Sequence, residues 1–596
     1  MSDALGSVSG QPNECDLVMK GGITSGVIYP LAAVELAKRY RFRSIGGASA
    51  GAIAAALTAA AELGRQRGRA SFAELETAAR GLGRRLRGLF QPSPELAGLF
   101  DVLSAGVARR SLAGRVLGVL GALARAYWPW TLLALVAPAA LVLRALARRD
   151  PVAALAALLL LGFLLSALWT WRLARDLLTR LPARDFGLCS GLSRPGAQAP
   201  ALTEWLTDLL DDLAGVERAA GGARGRPLTF GDLAAREIEL RAMTTCLTFG
   251  RPYSLPFETR AFRFRAEEMR RLFPERVVDW MVHAAGAADA VPEAQPEAPA
   301  GLSTAGAAEP PDAERPGAER AAGYFPFPAA ADLPVVVAVR MSLSFPLLFS
   351  AVKLWARDFT RDAPAERFRL RPVWFSDGGI CSNFPIHLFD ALWPGRPTFG
   401  ITLEELGAPD EPRVYFPTTA AQGILRPFRA ISGTGAFLGS IFGTMQTWQD
   451  DLQATLPGYR ERIVHVALDP GEGGLNLDMD PATIAGLVDC GAAAGLRLRD
   501  DFDWPAHRWT RALAATRELA DALDGIDRAA RDVGSPEQFV AARDVAERPY
   551  AQSKSWREDL VELLGAWSGA GDDAAAVLEG GRFPRPRPRL RMVPRL

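Results

Sequence analysis

The chain has 596 residues, of which 49% are hydrophobic and 23% charged, so it is long enough for several domains and apolar enough to bury large cores. Its 68 basic and 67 acidic residues leave a net charge of +1. No overall field therefore favours nucleic acid as a partner, and we predict none. The five cysteines are scattered without a CxxC pair, which argues against a zinc motif and against a disulfide framework.

The first 65 residues alternate between strand and helix patterns. Residues 16–19 and 41–45 are predicted strands, whereas 27–37 and 50–63 have helical apolar patterns. Strands that alternate with helices are typical of α/β proteins with a largely parallel sheet. The N-terminus lacks a basic segment followed by an apolar run, so we predict no signal peptide.

The sequence GGASAG places Ser49 between small residues at the junction of the second strand and the following helix. Gly47 to Gly51 fits G-x-S-x-G, the pattern of a nucleophile elbow, in which a serine occupies a strained strand-to-helix turn. A helix that begins after the serine also directs its first amides toward developing negative charge. Ser49 is therefore a candidate nucleophile, with an ordinary glycine-rich corner as the alternative.

A second glycine-rich turn, KGGITSG, follows the first strand. Glycine lets backbone N–H groups approach a ligand closely, so this turn can form an oxyanion hole beside the elbow. A phosphate-binding turn is an alternative, but neither G-x-G-x-x-G nor a Walker A Lys-Ser/Thr is present. A plain tight turn is the third interpretation. The candidate oxyanion amides are those of Gly21, Gly22, Ile23 and Gly26.

Two uncharged segments in the middle of the chain are long enough to cross a membrane. Residues 126–143 carry no charge over 18 positions, and residues 151–171 none over 21. A helix of about 20 residues spans the hydrocarbon core, and tryptophans lie near the outer ends of both segments, where aromatic belts sit. We predict a two-helix transmembrane hairpin; a pair of buried soluble helices is the alternative.

The hairpin lies in a predicted insertion, residues 80–185. Its first part, 80–115, mixes arginines with leucines, which suits an amphipathic helix on an anionic membrane surface and a solvated helical face equally. Arginines are slightly more frequent on the outer flanks of the hairpin than in its link, 144–150. The positive-inside rule then predicts a multi-pass protein of the inner, cytoplasmic membrane with its catalytic domain on the cytoplasmic side.

The rest of the chain divides by composition. Residues 285–327 are rich in Ala, Pro, Glu and Gly without a hydrophobic period, which predicts a disordered linker. A polar helical region is predicted from 501 to 578, and a basic Pro/Arg tail from 579 to 596. Further strands are predicted at 334–339, 372–375, 397–403 and 463–468. The catalytic domain is therefore expected to be discontinuous, over 14–75 and 225–500.

The group that accepts the proton of Ser49 is less obvious. A Ser…Asp…His order requires His465 or His507, and their spacing gives no positive reason for it. Asp377, in Ser-Asp-Gly-Gly after the apolar run 373–375, puts a carboxylate at a strand end. An aspartate with the ordinary pKa of about 3.9 is a weak base, but a partly dry site raises that pKa. The chain has four histidines, His283, His387, His465 and His507, none with motif support.

Four blocks of sequence, in this order, resemble the patatin-like phospholipase family. They are KGGITSGVIYP, GGASAG, VRMSLSFPLLFSAV at 339–352 and DGGICSNFP at 377–385. The resemblance covers about the first 65 residues and 335–480. The hairpin, the linker and the C-terminal region lie outside it.

The resemblance implies a three-layer α/β/α patatin-like sheet domain and a Ser–Asp dyad without histidine. Carried onto this chain, Ser49 is the nucleophile, Asp377 is the base, and the glycine turn supplies the oxyanion amides. The turn departs from the family pattern, because Lys20 stands where a glycine is usual and 23–25 include no basic residue. This departure leaves open which amide points at the oxyanion.

Further residues are expected to support the dyad rather than to react. The glycines beside the nucleophile let the elbow close, and the residues after Asp377 shape the loop that holds it. Arg340 and Ser344, in the third block, are expected to give structural support. The supporting residues are Gly47, Gly51, Gly378, Gly379 and Asn383.

These features predict a membrane-anchored serine lipid acyl hydrolase of the phospholipase A type, which cleaves carboxylic esters through an acyl-enzyme. The expected partners are the membrane and a phospholipid or other acyl-ester substrate. No cofactor or metal is expected, since no acidic cluster has calcium-ligand spacing. One alternative is a lipase or acyl thioesterase on neutral lipids or acyl-CoA. Another is a non-catalytic membrane scaffold with the same fold.

Overall fold

The computed structural model describes most of the chain. The predicted tail, 579–596, and residues 289–321 of the predicted linker lie outside the described residues. The described residues are 12–107, 112–217, 225–288, 322–358, 369–405, 412–417, 433–469, 471–474, 476–535 and 558–567, with the single positions 431, 538, 570 and 578.

A mixed β-sheet forms the centre of the molecule. Its strand order is β12-β13-β11-β1-β2-β4-β10-β9-β6-β7, with β5 beside β4, while β3 and β8 pair separately; the ranges follow. The strands are β1 (Glu14–Met19), β2 (Arg41–Ala48), β3 (Gly187–Cys189), β4 (Glu239–Cys246), β5 (Arg251–Leu255), β6 (Arg263–Arg265), β7 (Tyr324–Pro326), β8 (Leu347–Phe349), β9 (Val352–Arg357), β10 (Leu370–Asp377), β11 (Thr398–Glu405), β12 (Val414–Tyr415) and β13 (Ile463–Leu468).

One half of this sheet is parallel and the other antiparallel. Strands β13, β11, β1, β2 and β4 run parallel to one another. Strands β10, β9, β6 and β7 continue the sheet in antiparallel pairs. The prediction of a largely parallel sheet is therefore wrong for the second half. Strand β5 also pairs with β4 in the antiparallel sense, and here the link of residues 247–250 is too short for the crossover that parallel neighbours need.

Helices occupy most of the remaining described chain. The α-helices are α1 (Tyr29–Ala37), α2 (Ala50–Gln66), α3 (Ser71–Gly81), α4 (Leu86–Leu89), α5 (Ala97–Val107), α6 (Leu112–Ala126), α7 (Trp128–Ala147), α8 (Pro151–Arg175), α9 (Leu181–Ala183), α10 (Leu202–Ala214), α11 (Phe230–Ala234), α12 (Ala266–Met269), α13 (Glu275–Ala288), α14 (Val335–Ser342), α15 (Gly433–Ala454), α16 (Pro481–Asp500) and α17 (Trp504–Val533). Short 3₁₀ turns lie at Ser25–Ile28, Leu82–Arg84, Ala330–Asp332, Gly378–Ile380 and Arg460–Arg462, and a π-helical turn at Asp176–Arg180.

The two faces of the sheet pack against different partners. Leu17 and Met19 of β1 belong to a large core that includes the buried sides of α1, α2 and α16. Val18 points to the opposite face and packs in a smaller cluster with Phe384 and Ile386. Both faces are therefore covered, which suits a sheet whose central strands are almost entirely apolar.

The strand predicted at 334–339 is wrong, because residues from Val335 onward form α14. Pro334 occupies the N-cap position of this helix, where its fixed backbone angle is compatible with a helix start. All eight residues of α14 are buried. A helix that is buried on every side has no polar face, so its sequence shows no helical period and its valines read as a strand.

Arg340 is the one charged residue within α14. It is 2% exposed, and its guanidinium donates to Ser344 Oγ at 2.7 Å, to the Ser350 carbonyl at 3.0 Å and to the Ser190 carbonyl at 3.1 Å. The guanidinium also lies 4.8 Å from the centre of the Phe349 ring. Arg340 therefore connects α14 to the chain around β3 and β8, which agrees with its expected structural role.

The two predicted hairpin helices are present as α7 and α8, and each extends beyond the predicted C-terminal end. They pack against each other, and Trp169 Nε1 donates to Thr131 Oγ1 at 3.1 Å between them. Asp150, in the link, caps α8 by accepting from the amides of Val152 and Ala153 at 3.1 and 3.0 Å. Helices α7 and α8 and their link are therefore held together by contacts within the hairpin itself.

The outer surface of this pair is apolar. Val136, Leu143 and Phe163 are each 68% exposed. Helix α8, the π-helical turn and α9 follow one another without a break, as one helix from Pro151 to Ala183. Among the described residues, this is the one helix that is long and apolar enough to cross a membrane by length and composition, with a mean hydropathy of 2.5. The apolar part of α7 recognised in this way, Pro138–Ala147, is shorter. The structure thus supplies one spanning helix on these criteria, and a two-helix transmembrane hairpin stays a prediction.

The predicted linker is too long at both ends. Residues 285–288 are the last turn of α13, where Ala285 is 2% exposed, and Tyr324–Pro326 form β7. Pairing with β6 and burial against the core order these residues although their composition resembles the linker. Beyond residue 501, the polar helical pattern corresponds to α17 in the described part of the chain.

Replacing Arg340 with Met is expected to lower the free energy of unfolding by about 2–4 kcal/mol, because buried carbonyl groups of Ser190 and Ser350 lose their donor. The control is Arg80→Met, which removes exposed ion pairs with Glu76 and Asp489 and is expected to cost less than about 1 kcal/mol. Chemical unfolding of the detergent-solubilised chain, followed by tryptophan fluorescence, measures both. Equal effects of the two substitutions would contradict the role given to Arg340.

Candidate active site

The register of the sheet brings Ser49 and Asp377 to the two sides of one strand. Ala48, the last residue of β2, pairs with Met243 of β4. Asp377, the last residue of β10, pairs with Thr244 of β4. Because Met243 and Thr244 are consecutive, the hydroxyl and the carboxylate leave the sheet at the same place although 328 positions separate them in the sequence, from 49 to 377.

Ser49 adopts the strained geometry that the elbow motif predicts. Its φ of 54° and ψ of −126° lie outside the ordinary regions for a residue with a side chain, and it forms the N-cap of α2. Its backbone N–H donates to Ser342 Oγ at 3.0 Å, and the residue is 3% exposed. Strain of this kind persists only where the surrounding structure holds it, and it is a marker of functional sites.

The glycines around the elbow are required by close backbone contacts. A Cβ atom on Gly51 would overlap the carbonyl oxygen of Met19 at the end of β1. A Cβ on Gly47 would overlap the backbone of Gly51. The elbow can therefore fold against β1 only with glycine at both positions.

The Asp377 carboxyl is buried beside the elbow. Its backbone N–H donates to the Ser344 carbonyl at 3.0 Å, and Oδ1 accepts from the Gly379 amide at 2.8 Å. Oδ2 is buried without a hydrogen-bond partner among the described residues. Burial raises the pKa of Asp377 to about 7, and the nearby Ser49 side chain and the Gly379 amide oppose the rise.

The Ser49 hydroxyl lies close to this carboxyl but donates elsewhere, to the Gly22 carbonyl at 3.2 Å. The same carbonyl accepts from the backbone N–H of Ala50 at 3.2 Å. Gly22 O therefore lies between the serine and the first amide after it. In serine hydrolases with such an elbow, that amide is one donor of the oxyanion hole. The sequence predicts that the first amides of this helix face developing negative charge, but the candidate oxyanion amides, which all lie in the glycine turn, do not include Ala50 N–H.

The predicted turn amides are not equivalent. Gly21 N–H donates to the Asn383 carbonyl at 2.7 Å, so it is not available to an oxyanion in this conformation, and that part of the prediction needs correction. Ile23 is half-buried and packs against the main core. Gly26 lies in a 3₁₀ turn so close to Ala50 that a Cβ would overlap its methyl group.

The supporting residues after Asp377 fit together by close contact. A Cβ on Gly378 would overlap the Met243 carbonyl oxygen, so the loop leaves β10 directly against β4. The Asn383 side chain fills the space left by the missing side chains of Gly21 and Gly379. Asn383 thus joins the glycine turn to the loop that holds the carboxyl.

Two side chains from α15 hold the same loop, and the sequence interpretation did not identify them. Asp450 accepts from the Phe384 amide at 2.7 Å and from Ser382 Oγ at 3.3 Å. Burial raises the pKa of Asp450 to about 6. Gln446 Nε2 donates to the Gly379 carbonyl at 2.5 Å. Neither residue stands in a motif, so nothing in the local sequence indicated this contact.

The alternative with a histidine base finds no support in the geometry. His465, on β13, contacts Glu404 at 2.9 Å, and strands β11 and β1 separate β13 from β2. His507 lies in an aromatic cluster at the start of α17. In the described part of the chain, no histidine is a hydrogen-bond partner of Ser49 or Asp377, and no group of three His, Cys, Asp or Glu side chains is arranged to hold a metal.

Comparison with known proteins adds three findings. The family model described as Patatin-like phospholipase matches residues 17–390, a range that includes both Ser49 and Asp377. A Rhizobium meliloti (strain 1021) protein described as "RpoH suppressor" is 36% identical over 677 aligned positions, covering 97% of this chain and 98% of that protein. The solved structure of VipD from Legionella pneumophila covers 96% of this chain and 88% of its own, at 13% identity and a TM-score of 0.32, a likeness too slight to carry an argument.

Proposed function

This chain belongs to the patatin-like phospholipase family, whose members are lipid acyl hydrolases that act on ester bonds, and we propose that it cleaves fatty acyl esters of phospholipids through Ser49 and Asp377. The observation that carries the proposal is the pairing of β2 and β10 with consecutive residues of β4, which puts Ser49 beside Asp377. Asp377 Oδ2 is buried there without a hydrogen-bond partner among the described residues. A buried acceptor next to a strained serine is suited to take its proton.

In the proposed first step, Asp377 Oδ2 accepts the proton of Ser49 as Oγ attacks the ester carbonyl carbon. The raised pKa of Asp377, about 7, makes the carboxylate a much better base than an ordinary aspartate, and at neutral pH a large fraction is still ionised. The leaving alcohol then takes the proton from Asp377, and an acyl ester forms on Ser49. Water then attacks this ester as Asp377 takes one of its protons. The ester bond to Ser49 breaks, Oγ takes that proton back from Asp377, and the fatty acid is released.

The negative oxygen of the tetrahedral intermediate needs a donor, and we assign Ala50 N–H to this role. Its present acceptor is Gly22 O, at 3.2 Å, so the substrate carbonyl has to replace Gly22 O. The glycine turn must therefore rearrange on binding, which would turn the Gly22 carbonyl away and is sterically easy for glycine. The Gly21 amide, bound to Asn383, is expected to stay in place.

We also propose that α7 and α8 anchor the protein in the cytoplasmic membrane, with the catalytic domain on the cytoplasmic side. The exposed apolar surface of both helices and the one helix with spanning length support the anchor. Large exposed apolar surfaces are rare on soluble proteins, because water disfavours them. The arginines on the outer flanks support the orientation.

Substitution of Ser49 by Ala is expected to abolish fatty acid release from phospholipid vesicles, and Asp377→Asn to lower it by at least about 10²-fold, since each removes one partner of the proton transfer. Mass-spectrometric comparison of lipids before and after exposure measures the loss. Cys381→Ser, in the loop after Asp377, is the matched control and should retain turnover. Undiminished turnover by the Ser49 substitution would refute the mechanism.

The rate of ester hydrolysis is expected to fall on the acid side with a midpoint near pH 7. The working form of Asp377 is the carboxylate, and burial raises its pKa to about 7, so activity is present above this pH and lost below it. An ordinary aspartate would give a midpoint near pH 4. The measurement is kcat/KM for a soluble short-chain ester from pH 5 to 9, with unfolding monitored at each pH. A midpoint near 4 would contradict the buried base.

Alkaline carbonate is expected to leave the full-length protein in the membrane fraction, because residues 151–171 of α8 carry no charge and present exposed apolar side chains. Replacing Leu159 and Phe163, which are 66% and 68% exposed, with Arg should release the protein or prevent its insertion. Replacing the exposed Leu519 and Trp509 of α17 with Arg is the control. A wild-type chain that dissolves without detergent would contradict the anchor.

A further inference from the structure

Helix α15 exposes a continuous apolar stripe. Residues at 437, 441, 445, 448 and 452 follow the spacing of one face of a helix, and the residue at 438 widens it. Their side chains are between 40% and 68% exposed. The described residues leave these side chains largely uncovered. The stripe consists of Phe437, Leu438, Ile441, Met445, Trp448 and Leu452.

The stripe is also free of charge. No acidic or basic residue occurs from 431 to 449, although 23% of the whole chain is charged. A helix at the surface of a soluble domain normally carries charges on its outer face. A protein partner would be selected by a polar rim around an apolar centre. On α15 itself, the charge beside the stripe is Asp451, next to Leu452 in the last turn, and it accepts from Thr447 on the same helix. The stripe before that turn has no charged residue of α15 beside it. An apolar helix surface of this kind is suited to the acyl boundary of a bilayer.

The opposite side of α15 contacts the candidate site. Gln446, Asp450 and Ala454 are spaced by four residues and so share a face turned away from the stripe. Gln446 binds the Gly379 carbonyl, and Asp450 binds the Phe384 amide. Ala454 is 7% exposed and packs in the smaller core cluster. One helix therefore has an unpartnered apolar face and a second face on the loop of Asp377.

We propose that the stripe of α15 lies on the phospholipid bilayer that contains the substrate, and that Gln446 and Asp450 connect this contact to the loop of Asp377. The inference rests on the proposed function, because it takes the substrate from the bilayer. Ser49 and Asp377 are each 3% exposed, so an acyl chain has to enter from a neighbouring surface. The apolar face of a helix that touches the Asp377 loop supplies a surface compatible with lipid at that position.

The first test is direct contact and does not depend on turnover. The full chain is reconstituted in vesicles of phosphatidylcholine and phosphatidylglycerol, with or without bromine on the acyl chains, and tryptophan fluorescence is compared with that of Trp448→Phe. In the proposed anchor, the tryptophans of α7 and α8 also lie in the bilayer and are quenched in both proteins. Brominated lipid should therefore remove more fluorescence from the wild type than from Trp448→Phe, and the difference is the quenching of Trp448. Trp509→Phe, on α17, is the control, since Trp509 is 66% exposed but lies outside the stripe and should not be quenched. An unquenched Trp448 would overturn the proposal, as would burial of Trp448 in a contact between two copies of the chain.

The second test compares two substrates. In the combined substitution Ile441→Ser, Met445→Ser and Trp448→Ser, the ratio of vesicle phospholipid turnover to soluble short-chain ester turnover should fall at least about tenfold, since apolar burial is lost only with vesicles. Trp509→Ser should leave the ratio unchanged. An unchanged ratio in the combined substitution would contradict the proposal. If the wild type hydrolyses neither substrate while Trp448 is quenched, the proposed function fails and the lipid contact stands.

The third test concerns the connection to the loop, in which Asp450 is a positioning residue. Asp450→Asn should lower kcat at least about tenfold on both substrates with little change in KM and no change in Trp448 quenching, because the amide cannot accept from both the Phe384 amide and Ser382 as the carboxylate does. Asp451→Asn is the control, since Asp451 accepts from Thr447 on its own helix at 2.7 Å. An unchanged kcat in Asp450→Asn, or a loss that appears in KM alone, would show that the loop does not depend on this contact.

Discussion

The burial of the Asp377 carboxyl is the constraint on which the rest of the site depends. A rise in the pKa of this carboxyl from 3.8 to about 7 means that burial destabilises the anion by about 4 kcal/mol relative to the protonated form. The folded state binds this proton more tightly than the unfolded chain, so stability falls as the pH rises through this interval. The same burial makes the carboxylate basic enough to act on a serine. The surrounding sheet must hold a group that opposes folding in its ionised form.

The sheet holds it through register rather than through ion pairs. Strand β10 runs against β4, so it enters beside Cys246 and ends beside Thr244, next to the point where β2 ends. Glycines at the crossing points let backbones meet where a Cβ would overlap, as at Gly51 and Gly378. Arg340 fixes α14 behind this junction, and Ser342 of the same helix accepts from the Ser49 amide. The relative position of the Ser49 and Asp377 side chains therefore depends on the pairing of β2, β4 and β10 and on the packing of α14 against them.

The sequence allowed the local parts of this arrangement to be predicted and not the long-range parts. The elbow and the strand before Asp377 are patterns within a few residues, and both are present in the structure. The partnership of Ser49 with Asp377 came from a family resemblance, because no spacing rule reaches across the chain. The α14 error arose because complete burial removes periodicity. Asp450 escaped notice because a contact between a helix and a distant loop leaves no local pattern.

The glycine turn and the loop that holds Asp377, which form the two halves of the site, contact each other directly. Gly21 N–H binds the Asn383 carbonyl, and the Asn383 side chain packs in the space beside Gly379, so the glycine turn and the base loop share one residue. Gly22 O occupies the acceptor position at Ala50 N–H, which the substrate carbonyl takes over in the proposed mechanism. Helix α15 holds the loop on the far side of Asn383. A displacement of this helix would therefore move the glycine turn as well as the Asp377 carboxyl. A lipid surface that contacts α15 therefore acts on both halves at once.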